Sequence, residues 1–78
     1  MVYILRTSEG TLYIGQTNNL EKRLLTHKQG KGAKYLRRFE SFELVYSEAC
    51  ETRSQAMQRE LQLKKLKKAQ KEELINHN

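Results

Sequence analysis

The sequence predicts an α+β fold, a three-stranded, mostly antiparallel sheet flanked by helices. Three observations carry this expectation. Two segments rich in β-branched and aromatic residues, "VYILR" (2–6) and "TLYIGQ" (11–16), enclose a short glycine-containing loop, the mark of a hairpin. A third alternating segment, "FELVYS" (42–47), supplies another strand. Two capping-box patterns, at Asn18/Glu21 and Thr52/Gln55, each open a stretch of helical periodicity. The 78 residues form one expected domain, 1–78, which at this size buries only about 60% of the unfolded chain's surface.

The loop fixes the hairpin register. A two-residue turn at Glu9-Gly10 wants Asn or Asp first, whereas a three-residue loop Ser8-Glu9-Gly10 puts glycine at the left-handed position its bulge requires, so the longer loop is preferred. It pairs Thr7 with Thr11, Leu5 with Tyr13 and Tyr3 with Gly15. Tyr3 and Tyr13 then share one face, and Val2, Ile4, Leu12 and Ile14 the other.

The first helix is expected from Asn19 to Gln29, with Leu20, Leu24 and Leu25 as its apolar stripe and Gly30 as its stop. "GKGAKYLRR" reads as a glycine-punctuated basic segment entering a short helix. From Thr52 onward Ala56, Met57, Leu61, Leu63 and Leu66 recur at helical spacing, with neither proline nor glycine to mark an end. The tail "KKLKKAQKEELINHN" is a charged amphipathic helix pattern, more often a solvated face than a partner site.

The single cysteine, Cys50, excludes an internal disulfide framework, and there is no CxxC or Cys/His cluster for zinc. A lone cysteine and the lack of a long apolar run or leader pattern give a cytoplasmic, non-membrane expectation. Fifteen Lys and Arg against nine Asp and Glu leave a net charge of +6, which suits a polyanionic partner and equally suits simple solubility.

Position within the elements is more informative than total charge. At about 100° per residue, Arg23 and His27 border the Leu20/Leu24 stripe while Lys22 and Thr26 point away. An isolated pair of this kind also fits an arginine snorkelling over the core and a histidine in polar packing. Glu60 lies inside the apolar stripe of the later helix, four residues after Ala56 and three before Leu63. A carboxylate there needs a cation, hydrogen-bond donors or a metal ion, and Lys64 one turn on is the plain ion-pair partner. Lys31, Lys34, Arg37 and Arg38, with Tyr35 available for stacking, form a basic turn suited to a nucleic-acid backbone or to a solvated surface.

The ordered set of Tyr3 in "VYI", Tyr13 and Gly15 in "YIG", Arg23, His27 and Glu60 resembles the GIY-YIG nuclease superfamily. The runs "LYIGQTNNLEKRLLTHKQGKGAKYLRR", "LVYSE" and "KKLKKAQKEELI" resemble more narrowly its small stand-alone bacterial subgroup, the UPF0213-like proteins. The resemblance covers nearly the whole chain. It implies metal-dependent hydrolysis of DNA phosphodiester bonds, in repair or recombination, with one Mg2+ or Mn2+ ion held through Glu60. A single glutamate suffices for an ion that keeps several waters and takes a substrate phosphate. Tyr3, Tyr13, Arg23, His27 and Glu60 are the implied catalytic residues; Gly15, Lys31, Lys34, Arg37 and Arg38 are expected to meet nucleic acid. Gly15, facing Tyr3, leaves room for backbone to approach a phosphate, or marks a bulge or a close packing contact.

The chain departs from the family pattern in having Met1 and Val2 before Tyr3, Gln16 where many members have lysine, and Glu72 where many have asparagine. The second expectation is therefore a non-catalytic nucleic-acid-binding module on the same fold, and the third a protein-interaction domain using the terminal helix. Nucleic acid, and DNA in particular, is the expected partner, with a protein partner setting specificity and a monomer or weak dimer as the assembly.

Overall fold

The computed structural model describes residues 1–29 and 41–77. Their elements run β1 (Val2–Thr7), β2 (Leu12–Gln16), α1 (Leu20–Lys28), β3 (Phe42–Glu48), α2 (Arg53–Lys65) and α3 (Lys68–Asn76). Among the described residues the sheet has three strands in the order β2-β1-β3, and both pairings are antiparallel. The expected α+β architecture is thus observed.

The hairpin adopts the three-residue loop. Gly10 has φ +86°, the left-handed conformation that glycine takes without a Cβ penalty. The Thr7 N–H donates to the Thr11 carbonyl at 2.9 Å, and the two threonine hydroxyls meet at 2.6 Å. Leu5 faces Tyr13 and Tyr3 faces Gly15, as the loop length requires.

That register gives the sheet two differently occupied faces. Val2, Ile4 and Ile14 join Tyr46 of β3 and Ala56 and Leu63 of α2, with Leu66, Leu74 and Ile75 packed alongside. Tyr3 and Leu5 form a second cluster on the other face with Tyr13, Phe42 and the α1 residues Leu20 and Leu24. Central strand β1 supplies both cores: Val2, Tyr3, Ile4 and Leu5 are all fully buried.

Several local expectations are revised. Asn19 rather than Asn18 caps α1, its side chain accepting from the Lys22 N–H at 3.1 Å. Leu25 is exposed, so Leu20 and Leu24 alone make the stripe. Strict alternation fails in β3, where a bulge between the partners of Ile4 and Leu5 lets both Val45 and Tyr46 pack with the α2 face. Thr52 caps α2, accepting from the Gln55 N–H, but the Gln55 side chain reaches past it to the Glu51 N–H.

On α2, Met57 and Leu61 are 49% and 57% exposed, so the buried stripe is narrower than the apolar pattern implied. The helix stops at Lys65 although no glycine or proline follows. Leu66 and Lys67 take extended backbone, Leu66 turns into the core, and Gln70 accepts from the Lys67 N–H at 2.9 Å to start α3. Among the described residues no helix is long and apolar enough to cross a membrane. The segment 30–40, with Gly30, Lys31, Lys34, Tyr35, Arg37, Arg38 and the short helix expected there, lies outside the described residues.

α3 folds back over β1, where the Arg6 guanidinium pairs with the Glu72 carboxylate; both side chains are about 70% buried. Glu43 lies 4.0 Å away on the same guanidinium. Glu72 therefore has a structural partner on the face opposite Tyr3. A double-mutant cycle with Arg6→Met and Glu72→Gln is expected to give a coupling of about 1 kcal/mol in urea denaturation. A coupling near zero would mean that α3 is docked by Leu66, Leu74 and Ile75 alone.

Candidate active site

Strand register, not loop geometry, builds the tyrosine cluster. Tyr3 stands on the middle strand directly opposite Gly15 on β2. A Cβ at position 15 would lie 2.6 Å from the Tyr3 Oη and 2.7 Å from its Cζ, so the phenol occupies the volume that any other residue would fill. The opening expected beside Gly15 for a phosphate is taken by Tyr3. Gly15 does not need a left-handed backbone here; it needs to be small.

Helix α1 delivers the polar partners. Arg23 and His27, one turn apart, both face the sheet beside Leu20 and Leu24. The Tyr3 hydroxyl lies 3.1 Å from His27 Nε2. The Arg23 guanidinium lies within reach of the hydroxyls of both Tyr3 and Tyr13, Tyr3 acting on it the more strongly. Around this centre the rings of Tyr3 and Tyr13 are 6.5 Å apart, the Tyr13 and His27 rings meet edge to face at 5.8 Å, and Phe42 closes on His27 at 6.0 Å. Phe42, the first residue of β3, was not anticipated. Its parity along a strand facing Tyr3 was the available signal.

The electrostatics assign the protons. Burial pushes the Tyr3 hydroxyl above its ordinary value, against the opposing pull of Arg23, so the phenol is neutral at physiological pH. His27 is held below its ordinary value by burial and then by the Arg23 charge, so the imidazole is neutral too. Arg23 is raised, chiefly by its bond to Tyr3. A guanidinium can only donate, so with Arg23 directed at the Tyr3 oxygen the phenol O–H is the group left to donate to a neutral His27 at Nε2. His27 then carries its proton on Nδ1. The chain of hydrogen bonds runs Arg23 to Tyr3 to His27.

One donor in this centre is not used. Arg23 Nε is buried without a hydrogen-bond partner among the described residues. An unsatisfied buried donor costs about 1–3 kcal/mol, and an anionic oxygen arriving from outside would satisfy it.

Glu60 is placed differently. It belongs to α2, which packs chiefly on edge strand β2 from the opposite face. Its side chain is 19% exposed and its oxygen lies 3.7 Å from Lys64 Nζ, the i,i+4 ion pair open from the sequence. It lies outside the Arg23–Tyr3–His27 hydrogen-bond chain, yet its charge is among those raising the Tyr3 hydroxyl. No group of three or more His, Cys, Asp or Glu side chains converges among the described residues. The donor set is thus one carboxylate, the minimum for a hard cation that keeps its waters and takes a phosphate oxygen.

An open cleft lies elsewhere, lined by Gln16, Thr17, Cys50, Thr52 and Arg53 at the start of α2. It holds no counterpart of the Tyr3 centre, so chemistry rather than size selects the candidate site. Gln16 belongs to that cleft.

The Gly15 contact is testable on stability. Gly15→Ala is expected to cost about 1–3 kcal/mol by overpacking, read by chemical denaturation. Tyr3→Phe in the same chain recovers part of the loss by removing the nearest atom. An unchanged midpoint for Gly15→Ala would show that the phenol does not occupy this volume.

Comparison with known proteins identifies the family. The GIY-YIG catalytic domain family matches residues 1–73. A UPF0213 protein of Bacillus licheniformis is 49% identical over 73 residues, covering 94% of this chain and 75% of that protein. One from Natronomonas pharaonis is 46% identical over 74 residues, covering 95% and 87%. The solution NMR structure of a UPF0213 protein from Bacillus halodurans superposes with a TM-score of 0.64 at 38% identity, over 99% of this chain and 82% of that one. The chain belongs to the GIY-YIG family, among its UPF0213 members.

Proposed function

We propose that this protein is a nuclease that hydrolyses phosphodiester bonds in DNA with the help of one divalent metal ion. Membership of the GIY-YIG family supports nuclease-like chemistry on nucleic acid. The observation that carries the reading is the Arg23–Tyr3–His27 chain with its unpartnered Arg23 Nε, a cationic donor beside a proton relay.

A non-bridging phosphate oxygen takes the Arg23 Nε–H, and the guanidinium offsets the charge that grows on the phosphoryl oxygens in the transition state. Water attacks phosphorus in line with the departing sugar oxygen. As its oxygen bonds to phosphorus, its proton passes to the Tyr3 oxygen while the Tyr3 proton passes to His27 Nε2. The phenol is neutral before and after, which avoids a free tyrosinate that burial disfavours. Tyr13, within reach of Arg23, helps to position the guanidinium. A Mg2+ or Mn2+ ion held by Glu60, with waters and a phosphate oxygen completing its shell, would supply Lewis-acid stabilisation of the leaving oxygen. The leaving oxygen is reprotonated from solvent.

DNA repair or recombination in the cytoplasm is the setting this activity fits. A second reading, a nucleic-acid-binding module without turnover, draws on one observation: Glu60 is engaged by Lys64 and sits outside the relay.

Plasmid, branched and single-stranded DNA incubated with Mg2+ or Mn2+ should be cut, and chelator or Glu60→Gln should lower the rate by about 100-fold or more. The relay also sets a pH dependence. His27 must be neutral to accept a proton, so the rate is full above its folded pKa, which lies below the ordinary value of about 6.5, and falls as pH drops through it. Stability follows the same sign: the unfolded chain binds the His27 proton more readily, so this contribution is present above about pH 6.5 and lost on acidification. No metal-dependent cutting of any substrate, or equal cutting by Glu60→Gln, would leave the binding-module reading.

A further inference from the structure

The turn between α2 and α3 concentrates charge in a way the fold itself does not need. Residues 64–71, "KKLKKAQK", carry five lysines. Lys64 and Lys65 close the last turn of α2, where the helix dipole favours cations. Lys67 stands at the N-cap of α3, and Lys68 and Lys71 lie in its first turn, which holds no acidic residue. There the dipole disfavours cations, so these three lysines oppose the local electrostatics. Of these five lysines only Lys64 has a carboxylate within 4.0 Å among the described residues. A local rule broken without compensation inside the fold points to a partner outside it.

We propose that this lysine turn is a second contact surface for the phosphate backbone of nucleic acid, flanking the cleavage site along α2. Glu60 precedes Lys64 by one helical turn, a rise of about 5.4 Å, comparable to the spacing of successive phosphates along a strand. The lysines therefore continue the surface of α2 directly beyond Glu60, with Lys64 in contact with its carboxylate. Leu66, the one large apolar residue in the turn, is directed into the core, so the turn itself offers a lipid surface nothing to insert. The placement relative to cleavage rests on the nuclease reading; the binding does not.

The test uses the full chain carrying Glu60→Gln, with chelator, so that nothing is cut. Affinity for a labelled short DNA duplex is measured between about 50 and 300 mM KCl, with and without K65Q/K67Q/K68Q/K71Q. The slope of log affinity on log salt is expected to fall by about 2–4, roughly 0.9 per lost phosphate contact, with a loss of about tenfold or more at the lowest salt. The melting temperature of the variant should stay equal or rise, because the three removed charges that oppose the α3 dipole outweigh the one, Lys65, that suits the α2 dipole. Arg53→Gln, at the other end of α2, should leave the slope unchanged.

An unchanged slope overturns the proposal, as does an equal loss per charge at Arg53 or a melting temperature that falls. Lysine-dependent binding to phosphatidylserine vesicles with no binding to DNA would overturn it in favour of a membrane surface. Separately, cutting by Glu60→Gln at the wild-type rate would remove the nuclease reading and leave the lysine result standing.

Discussion

The contact on which the rest depends is the seating of the Tyr3 phenol over Gly15. It joins two adjacent strands by shape, and it brings a hydroxyl from the fully buried middle of the sheet to where α1 presents Arg23 and His27. A longer side chain at position 15 would meet the phenol at 2.6–2.7 Å. The three-residue loop at Ser8-Glu9-Gly10 matters for the same reason. A shift of one residue in β2 would move Gly15 away from Tyr3 and turn Tyr13 to the opposite face.

The division of the sheet into two faces separates stability from chemistry. One face is covered by α2 and α3 through aliphatic packing and the Arg6–Glu72 pair. The other gathers aromatic rings, an imidazole and a guanidinium around one hydroxyl. Strand β1 belongs to both, which is how 78 residues serve a core and a candidate site together. Glu60, on α2 where that helix packs against edge strand β2, is close enough for its charge to act on Tyr3. The departures from the family pattern fall outside the tyrosine centre: Glu72 docks α3 and Gln16 lines a different cleft.

Strand positions and hairpin register were legible because alternation and a single glycine at a left-handed position leave few alternatives. Arg23 and His27 were legible as a pair from helical spacing, but nothing in that spacing says that Tyr3 bridges them. Such a contact depends on α1 crossing the sheet at the level of β1, a tertiary relation. Met57 and Leu61 misled because an apolar side chain at helical period is indistinguishable from a core residue until the neighbouring layer is known. The α2–α3 break was hidden because it comes from Leu66 being drawn into the core and Gln70 capping the next helix, without glycine or proline.

The proposed relay depends on the direction of one hydrogen bond, from the Tyr3 hydroxyl to a neutral His27. Nitrogen-15 NMR of the imidazole across a pH titration measures it directly. The expected result is the Nδ1–H tautomer with Nε2 accepting, and a pKa below the ordinary histidine value. An Nε2–H tautomer, or a His27 pKa at or above that value, would contradict it.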